Sequence, residues 1–128
     1  MSEKLLLLGE EEDFLADLSE QIRARGMHVF RAVSLKEGLE MAAKDHFRII
    51  LISLTVPGND GADELKMLKQ IRPEPEIFLL SGHITVKKGV RAIKMGAADL
   101  LDKSEKPHIL AEKIVKSRNR KILPLRKT

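Results

Sequence analysis

Short apolar runs alternate with amphipathic segments of helical spacing along this chain of 128 residues. Leu5 to Leu8, Ile49 to Leu54 and Ile77 to Leu80 lack the polar alternation of a half-exposed strand, which predicts strands buried on both faces. Two weaker runs, Met27 to Ala32 and Ala98 to Leu101, complete a set of five. Strands of this kind need a layer of helices on each side of their sheet, and this need constrains the fold more than any other feature.

Apolar residues spaced by three and four, with capping signals at the segment ends, predict a helix after each strand. Ser34, followed three residues later by Glu37, forms a capping box for the second helix. Pro107 opens the fifth helix. The apolar positions are, helix by helix, Phe14, Leu15, Leu18 and Ile22; Leu35, Leu39, Met41 and Ala42; Leu65, Leu68 and Ile71; Val86, Val90 and Ile93; Ile109, Leu110, Ile114 and Val115. Such stripes are expected to face the core.

Five repeats of strand and helix predict a doubly wound α/β fold, with a five-stranded parallel sheet between two helical layers. Right-handed crossovers bring the carboxyl ends of all strands to one edge, where the ligand sites of open sheets lie. Candidate site residues are therefore those that follow the strands: Gly9, Glu10, Glu11, Ser53, Leu54, Thr55, Ser81, Gly82, His83, Asp102, Lys103 and Ser104. The predicted domain covers residues 1–118, and residues 119–128 are expected to form a basic tail or linker remnant.

The net charge of +4 is unevenly distributed. Residues 103–128 contain nine basic and two acidic residues, whereas residues 1–102 contain 14 basic and 17 acidic residues. The chain also has no Trp and no Tyr, the residues that stack on bases in binders of single-stranded nucleic acid. We therefore do not expect the body of the domain to bind nucleic acid.

Composition excludes several further classes. The absence of cysteine excludes thiolate nucleophiles and Cys-ligated metal centres. No apolar run approaches the roughly 20 residues of a membrane-spanning helix. Ser2, Glu3 and Lys4 lead straight into the first run, so we expect no signal peptide. We expect a cytoplasmic protein that has no membrane partner.

Three segments carry a family resemblance. Pro57 to Gly61 follow Ser53 by four residues, Leu80 to Gly82 end the fourth apolar run, and Gly96 to Lys103 combine a glycine-alanine turn, a short strand and a lysine. Ser53 follows Glu10 by 43 residues, Ser81 follows Ser53 by 28, and Lys103 follows Ser81 by 22. With these segments, the chain from about Lys4 to Lys116 resembles the receiver domain of two-component response regulators, which has a flavodoxin-like fold of the chemotaxis-regulator type.

The resemblance implies a phosphoryl switch whose key residues are altered here. In the family, an acidic pair and an Asp hold Mg²⁺, and that Asp accepts the phosphoryl group. The acceptor position is Ser53, and the acidic pair has become Gly9 and Glu10, or Glu10 and Glu11 if the alignment shifts by one. We expect no cofactor, with Mg²⁺ lost or bound only weakly at Glu10.

The resemblance also places the signalling positions. Ser81 and Lys103 are the switch and phosphate-contact residues, and Leu100 replaces the usual aromatic switch. Lys103 is expected to pair with Glu10 or to donate a hydrogen bond to Ser53. Lys87, Lys88, Arg91 and Lys94 lie along the fourth helix and form either a solvated basic face or a docking face for an acidic partner. The resemblance also implies a surface for homodimers, formed by the fourth helix, the fifth strand and the fifth helix.

Three hypotheses of function follow. The first is a non-enzymatic, phosphorylation-independent module that binds a protein such as a histidine kinase or an output domain. In this hypothesis the chain has no catalytic residue. The second is a working phosphorelay receiver that is phosphorylated at Ser53 or at another residue. The third is the regulatory domain of a DNA-binding transcription regulator, connected through the basic tail.

Overall fold

A computed structural model describes residues 3–120 of the chain. Five strands alternate with five helices, as the sequence predicts. They are β1 (Lys4–Leu8), α1 (Glu12–Arg23), β2 (His28–Ala32), α2 (Leu35–Lys44), β3 (Ile49–Ser53), α3 (Ala62–Ile71), β4 (Glu76–Ser81), α4 (Val86–Lys94), β5 (Asp99–Asp102) and α5 (Pro107–Arg120). Within the described range, no helix has the length and apolar content needed to span a bilayer.

All strand pairs are parallel, and the sheet order is β2-β1-β3-β4-β5. The register places Leu8 beside Ile52, Ser53 beside Leu80, and Ser81 beside Asp102. The residues that end β1, β3, β4 and β5 therefore lie at one edge. The predicted doubly wound fold is confirmed, and the register brings the candidate site residues to that edge.

Each central strand contributes to two cores. In β1, Leu5 and Leu7 pack with residues of α1 and α5, whereas Leu6 and Leu8 pack with residues of α2, α3 and α4. All four leucines are buried. Alternate residues of a strand point to opposite faces of the sheet. In a strand covered on both sides, successive residues are therefore all buried and apolar. This arrangement explains the continuous apolar runs and confirms the three layers.

The helix ends follow their capping signals. The Ser34 hydroxyl accepts the Glu37 N–H at 3.1 Å, and the Glu37 carboxylate accepts the Val33 N–H at 2.8 Å. Thr85 caps α4 by accepting the Lys88 N–H at 3.1 Å. At the other end of the domain, α5 continues to Arg120 and so includes the first two residues of the predicted tail. Residues 121–128 of that tail lie outside the described residues.

The predicted orientation of α4 is wrong. Val86, Val90 and Ile93 were expected to face the core, but they are 86%, 50% and 56% exposed. Ala92, which is 2% exposed, faces the sheet instead. Helical spacing shows which residues share a face, but it does not show which face packs inward. Here a small residue allows the helix to approach the sheet, and the larger apolar side chains point outward.

Candidate functional site

Three side chains meet at the carboxyl edge of the sheet. The Ser53 hydroxyl donates a hydrogen bond to one oxygen of the Glu11 carboxylate. The other Glu11 oxygen accepts from Lys103 Nζ at 2.7 Å. Lys103 Nζ also donates to the Leu54 carbonyl oxygen at 2.7 Å. We call Glu11, Ser53 and Lys103 the polar cluster; the bonds that join them satisfy its one carboxylate and most of its ammonium donors.

Backbone geometry brings these side chains together. Ser53 is the last residue of β3, and Lys103 follows β5, where its N–H donates to the Ser81 carbonyl oxygen at 2.9 Å. Glu11 precedes α1 with an extended backbone, and its carboxylate does not cap the helix. The Lys103 side chain is 14% exposed and that of Glu11 is 32% exposed. The cluster is therefore partly shielded from water, which strengthens its hydrogen bonds.

The predicted pairing of Lys103 is wrong. Lys103 was expected to pair with Glu10 or to bond Ser53 directly; the weak Mg²⁺ binding expected at Glu10 stays a prediction. In the structure Glu10 is exposed, and Glu11 joins Ser53 to Lys103. Successive side chains of an extended segment point to opposite sides, so Gly9 and Glu11 face Ser53 while Glu10 faces solvent. The shifted alignment, which includes Glu11 in the acidic pocket, is closer to the observed geometry.

Gly9 lies against the polar cluster, at a position where no larger residue fits without displacing its neighbours. A β carbon on Gly9 would lie 2.8 Å from Leu15 Cδ1 and 2.9 Å from Ser53 Cβ. The backbone of Gly9 does not have a positive φ angle, so space rather than conformation favours glycine. Gly9 thus lies next to Ser53, and its assignment to the acidic pocket stays a prediction. A side chain at this position therefore requires Leu15 and Ser53 to shift.

Gly9→Ala is therefore expected to lower the free energy of unfolding by about 1 to 3 kcal/mol, because the added methyl group overpacks the β1–β3 contact. Urea unfolding followed by far-UV circular dichroism measures this change. Gly82→Ala is the matched control at the same edge, since a β carbon there meets nothing within 4 Å, and we expect a change below about 0.5 kcal/mol. Equal effects of the two substitutions would contradict the close contact at Gly9.

The two predicted switch positions lie beside the polar cluster without joining it. The Ser81 hydroxyl accepts the His83 N–H at 3.3 Å, within its own loop. Leu100 is half-buried in β5 and packs against the core that includes Ala92. Both residues line a cavity that opens beside Lys103. Of the predicted signalling positions, only Lys103 contacts Glu11.

An ion pair joins the loop after β3 to α4. Asp60 Oδ1 accepts the Ala62 N–H at 3.0 Å, and Asp60 Oδ2 accepts from Arg91 Nε at 2.9 Å. The Ala62 N–H, with the Arg91 guanidinium as the next cause, holds the pKa of Asp60 below its ordinary value. Sequence patterns assigned residues 57–61 to a loop, but gave no signal for this pair across 31 positions.

The predicted basic face of α4 is exposed, but its four cations differ in their contacts. Arg91 bonds Asp60, and Lys88 Nζ donates to the His83 carbonyl oxygen at 3.2 Å. Lys87 and Lys94 form no side-chain hydrogen bond or ion pair with the rest of residues 3–120. Beside these cations lie the exposed apolar residues of the helix, which we call the α4 stripe: Val86, Val90 and Ile93. Sequence reasoning missed the stripe as a surface because it assigned the same spacing to the core.

A cavity of about 320 Å³ separates part of α4 from the sheet edge. Its apolar lining includes Leu54, Val56, Ala92, Met95 and Leu100. Lys88 and Arg91 from α4 and Glu11 and Lys103 from the polar cluster also contribute to its walls. We call this space the α4 cavity. In residues 3–120, no group of three or more His, Asp or Glu side chains is arranged to hold a metal ion.

Comparisons with known proteins agree on one family. Residues 5–115 match the sequence profile of the family described as "Response regulator receiver domain". The photosynthetic apparatus regulatory protein RegA of Cereibacter sphaeroides is 31% identical over 99 residues, which are 77% of this chain and 54% of that protein. The transcriptional regulatory protein PrrA of Mycobacterium tuberculosis is 28% identical over 115 residues, 90% of this chain and 48% of that one. The chain thus spans about half the length of these relatives.

The fold has close counterparts among solved structures. A CheY-like response regulator receiver domain protein from Methanospirillum hungatei JF-1 superposes with a TM-score of 0.81 at 20% identity. The match covers 95% of this chain and 98% of that one. At this identity the likeness concerns the fold alone.

Proposed function

The chain belongs to the response regulator receiver domain family of two-component signalling, and we propose that it acts there as a phosphorylation-independent interaction module. The observation that carries this proposal is the closed polar cluster. The Glu11 carboxylate is bonded on one oxygen to Ser53 and on the other to Lys103. A phosphoryl group would have to displace this internal anion from both of its partners.

The chemistry of Ser53 supports the proposal. An alcohol becomes a nucleophile when a nearby base removes its proton. Within the described residues, the only carboxylate bonded to Ser53 is that of Glu11, and its charge is already balanced by Lys103 at 2.7 Å. A phosphorylated serine would also be an ester, which lacks the reactivity of the acyl phosphate formed on an aspartate. No catalytic residue is assigned to this chain.

The side chains at this edge also do not fit Mg²⁺. That ion prefers octahedral oxygen ligands, usually one or two carboxylates together with phosphate oxygens and water. Among residues 3–120, Glu11 is the one carboxylate bonded to Ser53 and Lys103, and hydrogen bonds occupy both of its oxygens. Gly9 has no side chain and no room for one. We therefore assign no step of the function to Mg²⁺.

Incubation with acetyl phosphate and Mg²⁺ is expected to leave the intact mass of the protein unchanged, because Ser53 stands at the acceptor position and both it and Lys103 are bonded to Glu11. Mass spectrometry measures this, with a conventional Asp-containing receiver as positive control. A gain of one phosphate that Ser53→Ala abolishes would refute the proposal and support a working receiver phosphorylated at serine. A gain that survives Ser53→Ala would place the acceptor elsewhere and would refute it equally.

The surface of α4 fits the docking of a protein partner. Its apolar stripe and its cations form one exposed face, and the sequence Val86–Lys94 contains no acidic residue. Apolar patches rimmed by charge are typical of interaction sites. In a homodimer with α4 facing α4, the same cations would approach one another and repel. A partner with acidic residues around an apolar centre fits this face better than a second copy of the chain does.

A second candidate function is the regulatory half of a transcription regulator. It is favoured by the relative PrrA, a transcriptional regulatory protein, and by the length of both relatives, since the chain covers about half of each. The proposed module is compatible with this role, because docking through α4 could act on an output domain as well as on a separate protein. The body of the described domain would then act on DNA only through that partner.

A further inference from the structure

The α4 cavity has the size and lining of a small-molecule site. Its volume of about 320 Å³ lies at the lower end of the range for ligand pockets. It is about twice as large as apolar cavities of roughly 150 Å³ that accept benzene. Small or flexible side chains leave this space open, notably Ala92, Met95 and Leu100. None of the four Phe rings of the chain is among the lining residues.

The charged groups around the cavity favour one anion. Lys88, Arg91 and Lys103 contribute three positive charges to its walls, whereas Glu11 and Asp60 contribute two negative charges. Each carboxylate already has a cationic partner, Lys103 for Glu11 and Arg91 for Asp60. The cavity walls therefore have one unbalanced positive charge, and it lies on the α4 side, where Lys88 and Arg91 are exposed.

Hydrogen-bond donors remain on the same wall. Arg91 uses Nε for Asp60, and its two terminal nitrogens form no hydrogen bond with other groups in the described part of the chain. Lys88 uses one of its three ammonium hydrogens for the His83 carbonyl oxygen. The two residues are three positions apart, so their side chains lie on one side of the helix. A carboxylate placed between them would receive charge-assisted hydrogen bonds.

We propose that the α4 cavity binds a small molecule that combines an apolar ring or branched chain with a single carboxylate. The apolar body contacts Ala92, Met95 and Leu100, and the carboxylate binds Lys88 and Arg91. Because α4 also carries the exposed stripe, such a ligand would control the docking surface without a phosphoryl group. That last consequence rests on the proposed function, whereas binding in the cavity does not.

Phenylacetate is a suitable probe, and its titration can be followed by NMR of the methyl groups. We expect saturable shifts at Ala92, Met95 and Leu100, with a dissociation constant on the order of millimolar for so small a ligand. Phenylacetamide, the neutral isostere, should bind about tenfold more weakly, because it cannot form the charge-assisted bonds. Lys88→Met should weaken phenylacetate binding about five- to tenfold. Lys87→Met is the matched control and should leave it unchanged, since Lys87 does not line the cavity.

Filling the cavity gives an independent test. Leu100→Phe adds a ring to its wall and should reduce phenylacetate binding at least about tenfold. If that variant does not fold, the Lys88 and Lys87 pair decides the question alone. Equal binding of acid and amide, equal effects of the two lysine variants, or shifts confined to other parts of the protein would each overturn the proposal. The titration uses no phosphodonor and no Mg²⁺, so phosphorylation of Ser53 would refute the proposed function without affecting this result.

Discussion

Ala92→Asp is expected to lower the free energy of unfolding by about 1 to 3 kcal/mol, since it desolvates a carboxylate and overpacks the contact of α4 with the sheet, a cost that the nearby cations Lys88 and Arg91 offset only in part. Val90→Asp, two residues earlier on the same helix, should change it by less than about 0.5 kcal/mol. Ala92 is 2% exposed and packs in the core, whereas Val90 is 50% exposed. The chain has no Trp and no Tyr, so urea unfolding is best followed by far-UV circular dichroism.

The adjacent variant Ile93→Asp is a second control. Ile93 is 56% exposed, and a carboxylate there should be tolerated about as well as one at position 90. The opposite order of effects, with Val90→Asp and Ile93→Asp severe and Ala92→Asp mild, would show that the apolar stripe faces the sheet. In that case the stripe could not serve as a docking surface.

Ser53→Asp is expected to destabilise the protein by about 1.5 to 3 kcal/mol at pH 7. The new carboxylate would lie beside that of Glu11, which now accepts the Ser53 hydroxyl proton. Two like charges about 4 Å apart repel by about 4 kcal/mol at an effective dielectric constant of 20. Lys103, which contacts Glu11 at 2.7 Å, and the surrounding water offset part of this repulsion.

The effect of Ser53→Asp should depend on pH. Repulsion raises the pKa of the new carboxyl group in the folded state above its unfolded value of about 4. A raised folded-state pKa means that stability is retained below pH 4 and is lost as pH rises toward neutrality. The neutral variant Ser53→Asn is the matched control and should lack this dependence. Unfolding experiments between pH 4 and pH 7 measure the difference between the two variants.

A second substitution separates charge from shape. Glu11→Gln added to Ser53→Asp should recover most of the lost stability, because a single carboxylate then faces Lys103. If the double variant is as unstable as Ser53→Asp alone, the cost comes from packing at the end of β3. The structural basis of the closed cluster, and with it the support for a phosphorylation-independent module, would then be weakened.

Local sequence patterns predicted the strands and helices well, because a strand buried on both faces has a continuous run of apolar residues. β3 and β4 are covered by helices on each side, so their sequences are apolar at almost every position. The end signals were also local, as in the capping bonds of Ser34 and Thr85. Contacts within a few residues depend on the chain alone, and sequence reasoning is reliable for them.

The site was predicted in outline but not in its partners. Position in the chain placed Ser53 and Lys103 at one edge, yet Glu11 and not Glu10 joins them. Adjacent glutamates have the same chemistry, so only the backbone path after β1 decides which one turns toward Ser53. The bond between Asp60 and Arg91 likewise depends on how α4 lies over the loop after β3.

The sequence by itself determined the five-stranded α/β architecture, the meeting of strand ends and the family, because alternation of apolar runs and the spacing of a few motifs specify them. Tertiary structure alone decided which glutamate closes the polar cluster, which face of α4 points outward, and that a cavity lies beneath that helix. Each of these depends on packing between segments distant in the chain. Helical periodicity is unchanged when a helix turns about its axis, so only contact with the sheet could place Ala92 inside and Val90 outside.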